Sequence, residues 1–156
     1  MRTSMFDPIL EKTPIEKLRR YAYVDTLTEA YTRNMWYEMA EEYAKKDLYI
    51  AVIGLDNTSA VNRQYGWNIG NRKIIQAADH LKKLGALYYF GADIFVLVTT
   101  EPVEISGLEA CHGMAHHRPG DSMCKVLALA DAEMHNQKDR LKNSERERKI
   151  DIESLN

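Results

Sequence analysis

The stretch LYYFGADIFVLV, residues Leu87–Val98, holds two apolar runs separated by the residues GAD. Both runs are rich in β-branched and aromatic residues, while Gly91 and Asp93 are typical of turns. The pattern therefore predicts a β-hairpin with a carboxylate at its turn. Asp93 is either a plain turn residue or a functional acid on a rigid turn, and the neighbouring sequence bears on that choice.

The segments on either side of the hairpin predict a sheet with helices packed on it. Residues 48–55, LYIAVIGL, are apolar on both faces of an extended chain, which is typical of a central buried strand. A further strand is expected over 108–117, and Gly85 is expected to end the helix before the hairpin. The predicted helices cover 13–24, 29–46, 68–85 and 118–143. The order of these elements indicates an α+β fold.

The composition is that of one globular domain. The 156 residues are 45% hydrophobic and 28% charged, with a formal net charge of -2. This charge balance gives no reason to expect nucleic acid or an anionic membrane as a partner. No apolar run is long enough to span a membrane, and the first residues lack the apolar core of a signal peptide. Two cysteines without CxxC spacing fit a reducing compartment, so a cytoplasmic location is expected.

Four segments carry a resemblance to a known family. They are 23–33 (YVDTLTEAYTR), 53–71 (IGLDNTSAVNRQYGWNIGN), 89–95 (YFGADIF) and 130–138 (ADAEMHNQK). In order and spacing they resemble the landmarks of the GGDEF, or diguanylate cyclase, family: D-x-L-T-x-x-x-x-R, D-x-D-x-F-K-x-x-N-D-x-Y-G-H-x-x-G-D, GGDEF and A-D-x-A-L-Y-x-A-K. Several ordered motifs are far more specific than one short match.

The resemblance implies an α+β fold of the polymerase-palm type, an antiparallel sheet flanked by helices. It covers residues 23–142, so 1–22 are expected to form a helical lead-in and 143–156 a charged tail. The segment between the hairpin and the next strand is short, so the helix that the family usually places there is expected to be trimmed. Members of the family condense two GTP molecules into cyclic di-GMP across a dimer, using divalent metals held by acids.

Departures from the family pattern affect the metal-binding acids. Gly54 stands where the family has its first aspartate, and Ile94 replaces the glutamate of the GGDEF signature. Ala92 replaces a glycine at a position that favours positive φ. Mg²⁺ prefers carboxylate oxygens, and only Asp93 and Asp56 remain as weak metal candidates. We therefore expect no catalytic residue and no cofactor, with Mg²⁺ present only alongside a bound nucleotide, and we favour Asp93 as a turn residue.

The resemblance also points to candidate nucleotide-binding residues. Asn62 matches a guanine-contacting asparagine of the family, and Asn71 replaces a guanine-contacting aspartate. That change exchanges a charged acceptor for an amide, which weakens guanine binding but presents both a donor and an acceptor to another base. Lys138 matches a phosphate-binding lysine, Lys142 stands where an arginine is usual, and Ser59 replaces a second lysine. The two asparagines have the alternative role of capping the helices that they flank.

Three further features have both a functional and a structural interpretation. Trp67, in place of a family histidine, either stacks on a base or packs in its turn, and we favour the turn. The family's feedback site would fall on residues 82–85 (KKLG), which keep a charge but lack the carboxylate, so cyclic di-GMP sensing is not expected there. His112, His116 and His117 lack a metal-ligand pattern and are interpreted as surface or strand-end residues.

Three functions are consistent with this sequence. The leading hypothesis is a catalytically inactive GGDEF-like domain in cyclic-di-GMP-type signalling, which binds a purine nucleotide, a protein partner or a second copy of itself. The first alternative is a related enzyme with altered nucleotide chemistry, which uses Asp93 and Asp56 for metal and Asn62 with Asn71 for a base. The second alternative is a purely structural adaptor. A nucleotide that stabilises the protein separates the adaptor from the other two.

Overall fold

A computed structural model of the chain describes residue 5 and residues 7–155. The elements in these ranges are α1 (Asp7–Lys12), α2 (Ile15–Tyr23), β1 (Tyr31–Thr32), α3 (Arg33–Ala44), β2 (Leu48–Leu55), α4 (Thr58–Tyr65), α5 (Trp67–Leu81), β3 (Ala86–Gly91), β4 (Ile94–Thr99), β5 (Ala110–His117) and α6 (Met123–Ser154). The predicted hairpin is present as β3 and β4, and the predicted central strand has the bounds of β2. None of the described helices combines the length and the apolar character that crossing a bilayer requires.

The five strands form one sheet in the order β1-β3-β4-β2-β5, so β2 lies inside the sheet and β5 at its edge. β2 pairs antiparallel with β4 and with β5, and β3 pairs antiparallel with β4. The expectation of an antiparallel sheet is wrong at one edge, because β1 pairs parallel with β3 through Tyr31 and Tyr88. Val24 and Tyr31 form an antiparallel bridge that closes the turn before β1. This bridge orients the chain as it enters the sheet.

Helices cover both faces of the sheet. α3 and α6 pack on one face, where Trp36 and Met134 join Val52 in a buried cluster. α5 packs on the other face through Ile74 and Leu81. Because β2 is covered on both faces, nearly all of its side chains are buried, as its apolar sequence predicts.

The turn between β3 and β4 is held against the end of β2. Gly91 and Ala92 both have positive φ, 97° and 53°, so an alanine occupies the left-handed region that favours glycine. The Leu55 N–H donates to the Asp93 carbonyl at 2.9 Å, and the Tyr89 hydroxyl donates to the Ala92 carbonyl at 2.8 Å. These bonds fix Asp93 beside the carboxyl end of β2.

The connection between β4 and β5, all of which is described, contains no helix, as the shortness of this segment predicts. Its path is irregular, and Val103, Ile105 and Leu108 pack on the α5 face of the sheet. An irregular segment therefore covers part of the α5 face where the resemblance implies a helix in the chain.

Three local expectations differ from the structure. The helix predicted over 29–46 begins only at Arg33, because Tyr31 and Thr32 pair with β3 as strand β1. α5 ends at Leu81, before Gly85, and a Cβ at Gly85 would lie 2.5 Å from the Val98 carbonyl oxygen. This glycine is therefore required by the close approach of β4 rather than by a helix end. The polar stretch after β2 forms its own helix, α4, which Gly66 with φ 86° separates from α5. The residues of the predicted charged tail continue α6 to Ser154, and residues 143–155 are all exposed.

Candidate functional site

Two pockets meet at the hairpin turn, and Asp93 lines both of them. The cationic pocket, between α4, the turn and α6, has a volume of about 380 Å³. The amide pocket, between α4, α5 and the turn, also has a volume of about 380 Å³. The charged residues of the cationic pocket are Asp56, Arg63, Asp93, Lys138, Lys142 and Glu145. The amide pocket includes Thr58, Asn62, Trp67, Asn71, Tyr89 and Asp93. The structure thus brings all six candidate residues of the sequence to one region, with the lysines on one side of Asp93 and the asparagines on the other.

Helix α4 separates the two pockets. Asn62 lines the amide pocket and Arg63 the cationic pocket, whereas Thr58 and Ser59 line both. Arg63 was not predicted as a site residue. It lies four residues after Ser59 and therefore on the same helix face, and Ser59 occupies a position where the resemblance places a phosphate-binding lysine. This spacing is the signal that would have identified Arg63.

Asp56 follows β2 directly and is held by several contacts. Its N–H donates to the Glu109 carbonyl at 2.9 Å, and its carbonyl accepts a hydrogen bond from the Lys73 ammonium. Lys73 also pairs with the Glu109 carboxylate at 3.0 Å. The Cys111 thiol lies 3.6 Å from Asp56 Oδ1 and donates to it. Burial, and then the nearby Asp56 charge, raise the pKa of this thiol, so Asp56 faces a neutral donor that no sequence pattern predicts.

The space beside Gly54 is filled by groups that provide no oxygen ligand for Mg²⁺. A Cβ at Gly54 would lie 3.0 Å from Met134 Sδ, 3.3 Å from Lys138 Nζ and 3.4 Å from Ile94 Cδ1. Where the resemblance implies two carboxylates, the structure therefore has a thioether, a methyl group and an ammonium group. Among the described residues, no group of three or more His, Cys, Asp and Glu side chains is placed to hold a metal ion. The side chains beside Gly54 therefore do not form the carboxylate metal site that the resemblance implies.

Three cationic side chains converge on the cationic pocket. Lys138 and Lys142 are four residues apart on α6 and so share one helix face, and Arg63 lies on α4. Three carboxylates line the same pocket, so its formal charge is balanced without a ligand. Ammonium and guanidinium groups form charge-assisted hydrogen bonds with phosphate oxygens, which makes this pocket suitable for a phosphate chain.

The amide pocket contains unpaired polar atoms. Thr58 Oγ1 and Asn62 Oδ1 are buried and have no hydrogen-bond partner. The Asn62 amide lies against Gly70, where a Cβ would overlap Oδ1. Asn62 and Asn71 lie inside α4 and α5, and their side chains cap neither helix, so the capping alternative is wrong. An unpaired buried polar atom costs roughly 1–3 kcal/mol, so these two atoms are a local cost in the pocket wall rather than open ligand contacts.

Trp67 lines the amide pocket and is 76% exposed. The expectation that it packs in its turn is wrong, because its indole is left largely in solvent at the first residue of α5. Among the described aromatic residues none makes a ring contact with Trp67. Its face is therefore available to a planar ligand.

The histidines of β5 have protein partners. His116 Nε2 lies 2.7 Å from Asp47 Oδ1. His117 is fully buried, and its two ring nitrogens lie 2.9 Å from the Lys46 carbonyl and 3.0 Å from the Asp121 carbonyl. His117 is the last residue of β5, as the strand-end interpretation states, but it is not a surface residue, because its ring is buried between the segment before β2 and the segment after β5.

The position of the family's feedback site also has structural contacts. Lys82 donates to the Thr28 carbonyl at 3.0 Å and pairs with Asp79 at 3.1 Å. Gly85 lies against the backbone of β4. The one charge that we had considered for ligand binding there is thus engaged in local contacts.

Comparison with solved structures identifies the fold. The coiled coil and GGDEF domain of DgcB from Caulobacter crescentus, in complex with c-di-GMP, gives a TM-score of 0.69 at 21% identity, covering 85% of this chain and 87% of that chain. Diguanylate cyclase SiaD from Pseudomonas aeruginosa, in complex with its activator SiaC, gives 0.67 at 18% identity over 86% of this chain and 65% of that chain. The S helix-GGDEF-EAL part of Vibrio cholerae LapD, bound to c-di-GMP, gives 0.68 at 14% identity over 88% and 38%.

These similarities are structural. No protein-family model matches the chain, and no curated protein matches it significantly. These two solved structures nevertheless match 85% and 86% of the chain. The chain has the fold of GGDEF domains.

Proposed function

We propose that this chain binds a purine nucleoside triphosphate at the two pockets without cyclising it, as a regulatory module of cyclic-di-GMP-type signalling. The bound state would be communicated to a protein partner or to a second copy of the chain. Similar folds occur in proteins solved with c-di-GMP and, for SiaD, with an activator protein. Two free cysteines, one buried and one exposed, are in keeping with action in the cytoplasm.

One observation carries this proposal: the charged groups of one pocket match the phosphates of a nucleotide, and the neutral polar and aromatic groups of the other match its base. The cationic pocket supplies three cations for phosphates, and the amide pocket supplies two amides and an indole for a base. Asp93 lies where the pockets meet, which is where a ribose joining base and phosphates would lie. Ribose hydroxyls are donors, and a carboxylate is an acceptor, so the match extends to the middle of the ligand.

The lack of cyclisation follows from the groups around Gly54. Transfer of a nucleotidyl group needs cations that neutralise the phosphates and activate the attacking hydroxyl. Ile94 provides no oxygen, and Lys138 Nζ lies 3.3 Å from the position of a Cβ at Gly54. A lysine ammonium can bind phosphate, but it does not activate a hydroxyl as a bound metal does.

The test combines binding with product analysis. Thermal shift and calorimetry with GTP and ATP, each with and without Mg²⁺, should show stabilisation and a measurable Kd. The double variant Lys138→Gln/Lys142→Gln should raise the Kd at least about tenfold, since charged hydrogen bonds contribute roughly 1.5–3 kcal/mol each. The matched control, Arg146→Gln/Lys149→Gln, removes two charges from the exposed end of the same helix and should leave the Kd unchanged.

Two results would contradict the proposal. If no nucleotide at millimolar concentration changes the melting temperature, the chain is better explained as a structural adaptor. If incubation with GTP and Mg²⁺ yields cyclic di-GMP, and Asp93→Ala abolishes that product, the protein is a cyclase.

A second candidate function is an enzyme with altered nucleotide chemistry. It is favoured by the fact that Asp56 and Asp93 line the same pocket. Mg²⁺ is commonly held by one or two carboxylates together with substrate phosphates, so these two acids suffice for one ion once a nucleotide is present. Metal-dependent consumption of a nucleotide that disappears in the Asp56→Ala/Asp93→Ala variant would establish this function.

A further inference from the structure

The two tryptophans of the chain have opposite environments. Trp36 is 4% exposed in the core, whereas Trp67 is 76% exposed at the amide pocket. Exposing an indole forgoes the burial of a large apolar surface, and tryptophan faces are the strongest of the aromatic surfaces on which bases stack. Tyr65, two residues earlier, is also exposed but lines a different pocket. Trp67 alone of this pair of neighbouring aromatic residues contacts the space beside the asparagines.

Apart from Asp93, the hydrogen-bonding groups of the amide pocket are neutral. Asn71 offers one carbonyl acceptor and one amino donor, whereas the Asn62 carbonyl oxygen and the Thr58 hydroxyl oxygen are buried in the pocket wall. The Watson–Crick edge of guanine presents two adjacent donors, which a carboxylate satisfies best. Adenine presents a donor, its exocyclic amino group, next to an acceptor nitrogen, and an amide pairs with this edge in a bidentate manner.

Asp93 does not restore a guanine preference. It also lines the cationic pocket, and its main-chain carbonyl accepts a hydrogen bond from the Leu55 N–H, which holds the turn where the two pockets meet. Its carboxylate is therefore assigned to the ribose.

Resting on the function proposed above, we infer that the amide pocket selects adenine over guanine, with Trp67 as the stacking surface and Asn71 as the group that distinguishes the two bases. The ligand class is an adenine nucleotide with a phosphate chain. Its phosphates lie at Lys138, Lys142 and Arg63.

Tryptophan fluorescence provides the experiment, with ATP, GTP and inorganic tripolyphosphate as probes. ATP should quench the emission of Trp67 and bind at least about tenfold more tightly than GTP, since a mismatched polar edge leaves buried groups unpaired. Trp67→Ala should raise the Kd for ATP, measured by calorimetry, at least about fivefold, in line with the contribution of one stacked base. Tyr65→Ala is the matched control and should leave the Kd unchanged. Asn71→Asp should reverse the preference, so that GTP binds more tightly than ATP.

The outcomes separate this inference from the proposed function. If tripolyphosphate binds as tightly as ATP, or if Trp67→Ala behaves like Tyr65→Ala, the phosphate site stands and the inference is wrong. Equal or tighter binding of GTP by the unchanged protein also overturns it. If none of the three probes binds, both the proposed function and this inference fail.

Discussion

Gly113 allows α6 to lie directly on the sheet, and replacing it with alanine tests this packing. Gly113 lies in β5, and a Cβ there would overlap the Ala130 carbonyl oxygen and lie 2.5 Å from Met134 N and 2.7 Å from Glu133 Cβ. Two of these three atoms belong to the backbone of α6, which cannot rotate away as a side chain can. The helix would have to move by about 1 Å, and we expect Gly113→Ala to lower the free energy of unfolding by about 3 kcal/mol, the upper end of overpacking.

Gly54→Ala is the matched control for this change. It adds the same methyl group on a neighbouring strand, but the contacts are Met134 Sδ at 3.0 Å and Lys138 Nζ at 3.3 Å, the ends of two flexible side chains. These can shift, so we expect a loss of no more than about 1 kcal/mol. In a chain of this size, a difference of about 2 kcal/mol corresponds to roughly 4–8 °C in melting temperature.

Urea unfolding followed by far-ultraviolet circular dichroism measures both variants, and the emission of buried Trp36 serves as a second probe of two-state behaviour. A loss in Gly113→Ala no larger than the loss in Gly54→Ala would refute the reasoning that helix backbone, rather than side chains, limits this contact. The same displacement also moves Lys138 and Lys142 away from the cationic pocket. Gly113→Ala should therefore weaken nucleotide binding under conditions in which the variant remains folded.

Three further predictions concern the turn, the core and the thiols. Ala92→Gly should raise the free energy of unfolding by about 0.5–1 kcal/mol. Relief of left-handed strain stabilises the folded state by roughly 1–2 kcal/mol, whereas the greater entropy of the unfolded chain costs roughly 0.4–1 kcal/mol. The midpoint of urea unfolding measures the change. Burial raises the pKa of Tyr43 and of Tyr88 above the ordinary 10.0, so the folded state keeps these protons more tightly than the unfolded chain. The contribution of these two groups to the free energy of unfolding should be complete below pH 10 and should fall above it. The urea midpoints at pH 9 and pH 10.5 should therefore differ less in the Tyr43→Phe/Tyr88→Phe variant than in the unchanged protein. Iodoacetamide at neutral pH should modify exposed Cys124 in the folded protein and Cys111 only after unfolding. Burial protects the Cys111 thiol and raises its pKa. The number of modified thiols is measured by intact mass.

The parts of the fold that the sequence predicts are those with strong local signals. β2 is apolar on both faces because it lies between two helical layers, and this burial is visible as an unbroken apolar run. The hairpin is predicted by two apolar runs around turn formers, and its register follows from Gly91 pairing with Ile94. The candidate lysines and asparagines come from the resemblance to the GGDEF motifs, and the two lysines share a helix face because they lie four residues apart on α6.

Other features depend on contacts between segments that are distant in sequence. Gly85 is required by the Val98 carbonyl, thirteen positions along the chain, and nothing in its own neighbourhood distinguishes it from a helix-ending glycine. The exposure of Trp67 depends on how Gly66 turns the chain between two helices. Cys111 reaches Asp56 only because β5 pairs with β2. No local pattern encodes such contacts, so they appear only when the sheet is assembled.

The role of Asp93 can be judged against another aspartate in a turn. The Asp25 carboxylate accepts hydrogen bonds from the Leu27 N–H at 3.1 Å, the Thr28 N–H at 2.8 Å and the Thr28 hydroxyl at 2.8 Å, so its side chain stabilises its own turn. At Asp93 the main-chain carbonyl makes the structural bond, to Leu55 N–H. No hydrogen bond or ion pair to the Asp93 carboxylate is found among the described residues. Among the described residues the Asp93 side chain therefore has no counterpart of the Asp25 contacts, and this difference supports the proposed contact of its carboxylate with a ligand.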